Sequence, residues 1–148
     1  MKNIILLLLI LTLWSVLFAA GQPEILIFYK EKEPSQRVLA RVDSVLNEFR
    51  DSCQIKYYNV MDEENKELAI ELGLPQPHLP FAVVINGKFT AKIDDELISF
   101  VYFPLFMKGI GRHEGNWSMD YLMMVLENNE LLYDKNILPS NKHNEDDE

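Results

Sequence analysis

Cysteine is nearly absent from this chain. Of 148 residues one, Cys53, carries a thiol, which excludes an internal disulfide and any exchange that needs two thiols in one molecule. Positive charge is scarce as well: 14 Lys plus Arg stand against 23 Asp plus Glu, a formal charge of −9. A surface of that sign argues against nonspecific contact with nucleic acid or anionic lipid. The sequence also lacks a helical His-Glu-x-x-His pair, a phosphate-binding glycine loop and a Gly-x-Ser-x-Gly elbow, so no familiar hydrolase or nucleotide chemistry is indicated. Arg112-His113-Glu114 offers two metal-ligand types side by side, but adjacent residues point apart and do not make a strong site. Neither a metal site nor a cofactor is expected.

What is present begins with export. Lys2 leads an apolar run from Ile4 to Ala20, and Ala19-Ala20-Gly21 ends it with the small residues that a signal peptidase requires before Gln22. The run has seventeen residues, the lower edge of what spans a bilayer, so a retained anchor is the alternative to cleavage. No cysteine follows it, which excludes a bacterial lipoprotein amino terminus. Residues 1–21 are thus read as signal peptide or membrane anchor, 22–133 as one domain, and 134–148 as an acidic, disordered tail closing on Glu145-Asp146-Asp147-Glu148. The expected location is extracytoplasmic, secreted or periplasmic, or tethered by the amino-terminal helix.

Along the domain, Glu24 to Tyr29 is a short branched and aromatic run that reads as a buried strand. Val38, Leu39, Val42, Val45, Leu46 and Phe49 follow at spacings of three and four, an amphipathic helix with Ser35 placed as its cap. Gln54 to Val60 predicts a second strand, and Leu68, Ala69 and Leu72 mark a shorter helix that Gly73 ends. A helix crossing between two strands makes them parallel. Pro75, Pro77 and Pro80 forbid helix before a third strand, Phe81 to Ile85, and Asn86-Gly87 is the strongest hairpin signal in the chain. Phe89 to Ile93 is then the expected antiparallel partner, and Ser118 opens a last helix through Met119, Leu122, Met123 and Leu126.

Two parallel strands with crossover helices, an antiparallel hairpin and a closing helix over Glu24 to Asn129 resemble the thioredoxin fold. The resemblance implies a central mixed sheet flanked by helices, and it gives Leu79-Pro80 a meaning. In that family a cis proline heads the third strand and faces the turn after the first. The main chain of the preceding residue, here Leu79, pairs with an extended peptide. The turn that holds Cys-x-x-Cys in redox-active members is here Glu33-Pro34-Ser35-Gln36, without a thiol. The resemblance therefore implies a scaffold and a binding edge but no dithiol reaction. Glu33, Pro34, Ser35, His78, Leu79 and Pro80 are the candidate peptide-binding residues, and no catalytic residue is assigned.

Three other features carry expectations. Cys53, in Asp51-Ser52-Cys53-Gln54, has an acidic neighbour rather than an activating base; its functional reading is a mixed disulfide with a separate redox protein. The apolar run Leu97 to Met107 is either buried over the sheet or a docking face, with Phe100, Tyr102, Phe103 and Phe106 as the candidate interface. Asn116-Trp117-Ser118 matches a glycosylation acceptor. The partner expected overall is a protein or peptide, with membrane contact through the amino-terminal segment.

Overall fold

The computed structural model describes residues 21–105, 107 and 113–139. Residues 1–20, which hold most of the expected signal peptide or anchor, Phe106, residues 108–112 and residues 140–148 lie outside them. Among the described residues no helix is long and apolar enough to cross a membrane. In chain order the elements are β1 (Glu24–Tyr29), α1 (Ser35–Leu46), β2 (Gln54–Asn59), α2 (Glu63–Glu71), β3 (Phe81–Ile85), β4 (Thr90–Ile93), β5 (Glu96–Ser99) and α3 (Met119–Glu127), followed by a 3-10 turn at Asn129–Leu131.

The fold is mixed α/β, with β1 at the centre of a three-stranded sheet of order β2-β1-β3. β2 lies parallel to β1, with Glu24 opposite Gln54 and Tyr29 opposite Asn59. β3 runs antiparallel on the other side, with Ile25 opposite Ile85. Because the side chains of a strand alternate, a run that is apolar throughout must be covered on both faces. Ile25, Ile27, Phe81, Val83 and Ile85 pack against Val38, Val42 and Leu46 of α1 and Leu122, Val125 and Leu126 of α3. Leu26, Phe28, Ala82 and Val84 meet Ala69, Leu74 and Leu79 on the opposite face. The caps differ in kind. Ser118 caps α3 by accepting from the Tyr121 amide, whereas α1 begins after Pro34 with no side-chain cap.

The hairpin at Asn86-Gly87 forms, with φ of 50° and 76° and paired bonds between Ile85 and Lys88 of 2.7 and 2.9 Å. Its expected extension does not. The pairing with β3 stops at Lys88, and β4 instead pairs antiparallel with β5, Thr90 opposite Ser99. A second tight turn at Asp94-Asp95, φ 48° and 66°, closes that pair; both residues tolerate positive φ, which makes an Asp-Asp turn feasible. The chain beyond β5 then returns to the sheet. The Val83 amide donates to the Phe100 carbonyl and the Tyr102 amide to the Phe81 carbonyl, both at 2.9 Å. Residues 100–102 thereby occupy the outer edge of β3.

That return decides the run Leu97 to Met107. Ile98, Phe100, Val101 and Phe103 are 2% exposed or less, and Trp117 lies 5.8 Å from Phe100 in an edge-on aromatic contact. Phe100 and Phe103 are core residues: the Phe100 carbonyl lies on the edge of β3, accepting from the Val83 amide, and Phe103 is bonded to His113 and Gly115. Tyr102 is half-buried, Leu105 is exposed, and Phe106 lies outside the described residues.

Residues 134–137, assigned to the tail by the sequence, are bonded to the domain. The Phe89 amide donates to Asn136 Oδ1, Asn136 Nδ2 to the Gly87 carbonyl, and Thr90 and Ile137 exchange two bonds. Together with the Tyr133 amide on the Thr90 carbonyl, these contacts lay residues 133–137 along β4. Side-chain amide and hydroxyl groups satisfy an edge that backbone alone leaves open.

Candidate functional site

The turn after β1 and the proline loop before β3 meet. Ser35 is 1% exposed, and its Oγ donates to the Pro80 carbonyl at 2.8 Å. A buried hydroxyl must find a partner. Here it finds one across forty-five residues of sequence, in place of the helix-capping bond that its position suggested. Pro34 precedes it, and the Arg37 and Val38 amides both donate to the Pro34 carbonyl. Glu33 stays exposed, in a solvent-screened pair with Arg37 at 3.5 Å.

The peptide bond before Pro80 is not cis. The cis bonds are Glu33-Pro34 and Gln76-Pro77, so the expected cis proline at Leu79-Pro80 is corrected. Leu79 is buried in the cluster that holds Leu26, Phe28 and Val84. Leu79 and Pro80 are both buried. Pro80 has no N–H to donate and its carbonyl accepts from Ser35 Oγ, while residues 100–102 bond along β3 from Phe81 onward. The accessible members of the expected set are Glu33 and His78, with Pro34 half-buried between the turn and the core.

Around His78 the loop opens into a corner that no sequence pattern marked. The His78 ring lies 6.4 Å from His113, and His113 lies 5.9 Å from Tyr102. Tyr102 has φ of 69°, the left-handed region that costs a bulky residue roughly 1–2 kcal/mol. Its neighbours hold it there: its amide donates to Phe81, its carbonyl accepts from Trp117 Nε1 at 3.2 Å, and the Phe103 amide donates to the His113 carbonyl at 2.7 Å. Gly115 permits the crossing, since a Cβ there would stand 2.4 Å from the Val101 carbonyl oxygen. Burial holds the Tyr102 phenol above its ordinary pKa. In the same proline loop Gln76 Nε2 is buried without a hydrogen-bond partner.

The remaining candidates lie apart from this corner. Cys53 follows α1, at the opposite end of a twelve-residue helix from Ser35, about 18 Å along its axis. It is half-buried against the core, with Ser52 Oγ 3.8 Å from its sulfur. Asn116 is bonded on both sides: Oδ1 accepts from the Ser99 amide at 2.9 Å, and Nδ2 donates to the Leu97 carbonyl at 2.8 Å. Its amide acts as a clamp on β5. Among the described residues no group of three or more His, Cys, Asp or Glu converges on a point. No family model matches this chain, and no curated protein matches it either.

Proposed function

We propose that this chain is an exported thioredoxin-like domain without dithiol chemistry, and that it binds a protein or peptide partner beside the junction of the turn and the proline loop. The strand order β2-β1-β3, parallel then antiparallel, with helices on both faces, supports the scaffold. The bond from Ser35 Oγ to the Pro80 carbonyl carries the reading. It joins the two segments that such a scaffold uses for substrate, and it puts a hydroxyl where exchange chemistry needs a thiolate. Since Leu79 and Pro80 are buried, contact comes through the exposed rim: Lys32 and Glu33 on one side, Pro77 and His78 on the other. The partner docks on that rim as a surface and does not extend the sheet.

Photocrosslinking in cells that produce the full chain tests this. A photoreactive residue at position 33 or 78 should capture the same discrete adduct, and one at Glu127, at the end of α3, should not. Equal capture at all three positions, or none at 33 and 78, overturns the proposal.

A further inference from the structure

The chain closes most of its strand edges itself. Residues 100–102 bond along β3, residues 133–137 lie along β4, and the Asn116 amide clamps β5. β2, on the far side of β1 from β3, is the exception. The Gln54 amide donates to the Pro23 carbonyl and the Val60 amide to the Tyr29 carbonyl, so the even-numbered residues of β2 bond inward to β1, as alternate residues of a parallel ladder do. Ile55 and Tyr57 therefore turn their amides and carbonyls outward, and among the described residues no strand lies beyond them. A charged side chain commonly guards such an edge. Here Lys56 reaches inward to Glu24 at 2.6 Å, and Tyr57 is drawn back by donating its hydroxyl to Asp43 on α1.

We infer that the outer edge of β2 takes up an extended, basic segment of another protein as an added strand, a contact separate from the rim at Glu33 and His78. Main-chain bonds to Ile55 and Tyr57 supply the pairing. Charge selects the segment. β2 leads directly into α2, which Asn65 anchors to it by donating from Nδ2 to the Asn59 carbonyl, and that turn and helix carry Asp62, Glu63, Glu64, Glu67 and Glu71, all exposed. Asp51 stands exposed before the other end of the strand. The cations nearby are already engaged: Lys56 with Glu24, Lys66 with Glu63, and Arg50 Nε with Asn47. Lysine or arginine on an added strand thus meets carboxylates in excess. A second copy of this chain would bring the same acids to the same edge, with a formal charge of −9 on each copy, and like charges set side by side oppose pairing.

The test follows amide exchange by NMR in the full chain, with a peptide of alternating lysine and valine as the probe. Ile55 and Tyr57 should exchange fast in the dilute free chain and about tenfold or more slowly with the probe bound, while Val83 stays unchanged. The same peptide with its amides N-methylated should give no protection, because it cannot donate to the edge. A glutamate-valine peptide should bind about tenfold or more weakly, and Glu63→Gln with Glu64→Gln, both exposed, should weaken the lysine peptide roughly two- to fivefold. Failure of the lysine peptide to bind overturns the proposal, as does protection that survives N-methylation, that the glutamate peptide supplies equally, or that the double variant leaves unaltered. Slow exchange of Ile55 and Tyr57 in the dilute free chain also overturns it. Protection that grows with chain concentration alone does the same, since the occupant is then a second copy.

Discussion

Two corners of this molecule sit at the same end of the sheet and are built on opposite terms. At the junction of Ser35 and Pro80 the residues are buried and the hydroxyl is bonded; the edge beside it is occupied by residues 100–102. At the corner of His78, Tyr102 and His113 the rings are accessible, the backbone is left-handed at Tyr102, and a nearby amide nitrogen is buried without a partner. The difference teaches how the fold uses its polar groups at each corner. A thioredoxin-like resemblance directs attention to the first corner, but its polar groups are spent on holding the fold. At the second corner the neighbours hold Tyr102 in a left-handed conformation, an arrangement that costs energy to maintain.

The comparison can be broken in graded steps. Phe100 lends its carbonyl to the closed edge and its ring to the core, so Phe100→Ala should cost about 3–5 kcal/mol in urea unfolding; a loss below 1 kcal/mol would return the run to the surface. Gly115→Ala strikes the open corner, because the new Cβ meets backbone at Val101 and the Trp117 ring. Such overpacking should cost about 1–3 kcal/mol and shift the His113 ring signal. Ser35→Ala leaves the buried Pro80 carbonyl without its donor and should cost roughly 1–3 kcal/mol. Ser35→Cys should give no disulfide reductase activity, since no resolving thiol stands beside it.

The smallest effect is alkaline. Burial raises the Tyr102 pKa above 10.0, and Tyr57 is raised too, first by burial and then by its bond to Asp43. Folding thus favours the neutral phenols. Their contribution is fully present below the unfolded value of 10 and is lost as pH rises through the higher folded value. Melting curves should therefore fall above pH 10, and Tyr102→Phe should soften the fall at the open corner while Tyr57 continues to report from the other side of the sheet.

Local rules made β1, α1, β2, α2, β3 and α3 legible in the sequence, because each is a run of apolar residues at its proper period with a proline, glycine or serine at its boundary. Asn86-Gly87 was legible for the same reason. The partner of β3 was not: Phe89 to Ile93 and Phe100 to Tyr102 compete for one edge, and the choice depends on the Asp94-Asp95 turn and on how Trp117 fills the core. Asp-Asp is a permitted but weak hairpin signal, and only packing decides it. The site divides the same way. Ser35 and Pro80 were placed together through the resemblance, while the bond before Pro80 and the burial of Leu79 are set by tertiary contacts. His78 and His113 stand thirty-five positions apart in the sequence, and nothing in that spacing tells that two loops bring their rings to 6.4 Å.

Hydrogen exchange of the full chain at the Val83 and Tyr102 amides tests the central claim, that the edge of β3 is closed by the chain itself. Both amides bond across that edge, so they should exchange in the slowest class, with β1, and a bound partner should leave them unchanged. Exchange within minutes in the free chain, slowed only when a peptide is added, would show an open edge and contradict the account.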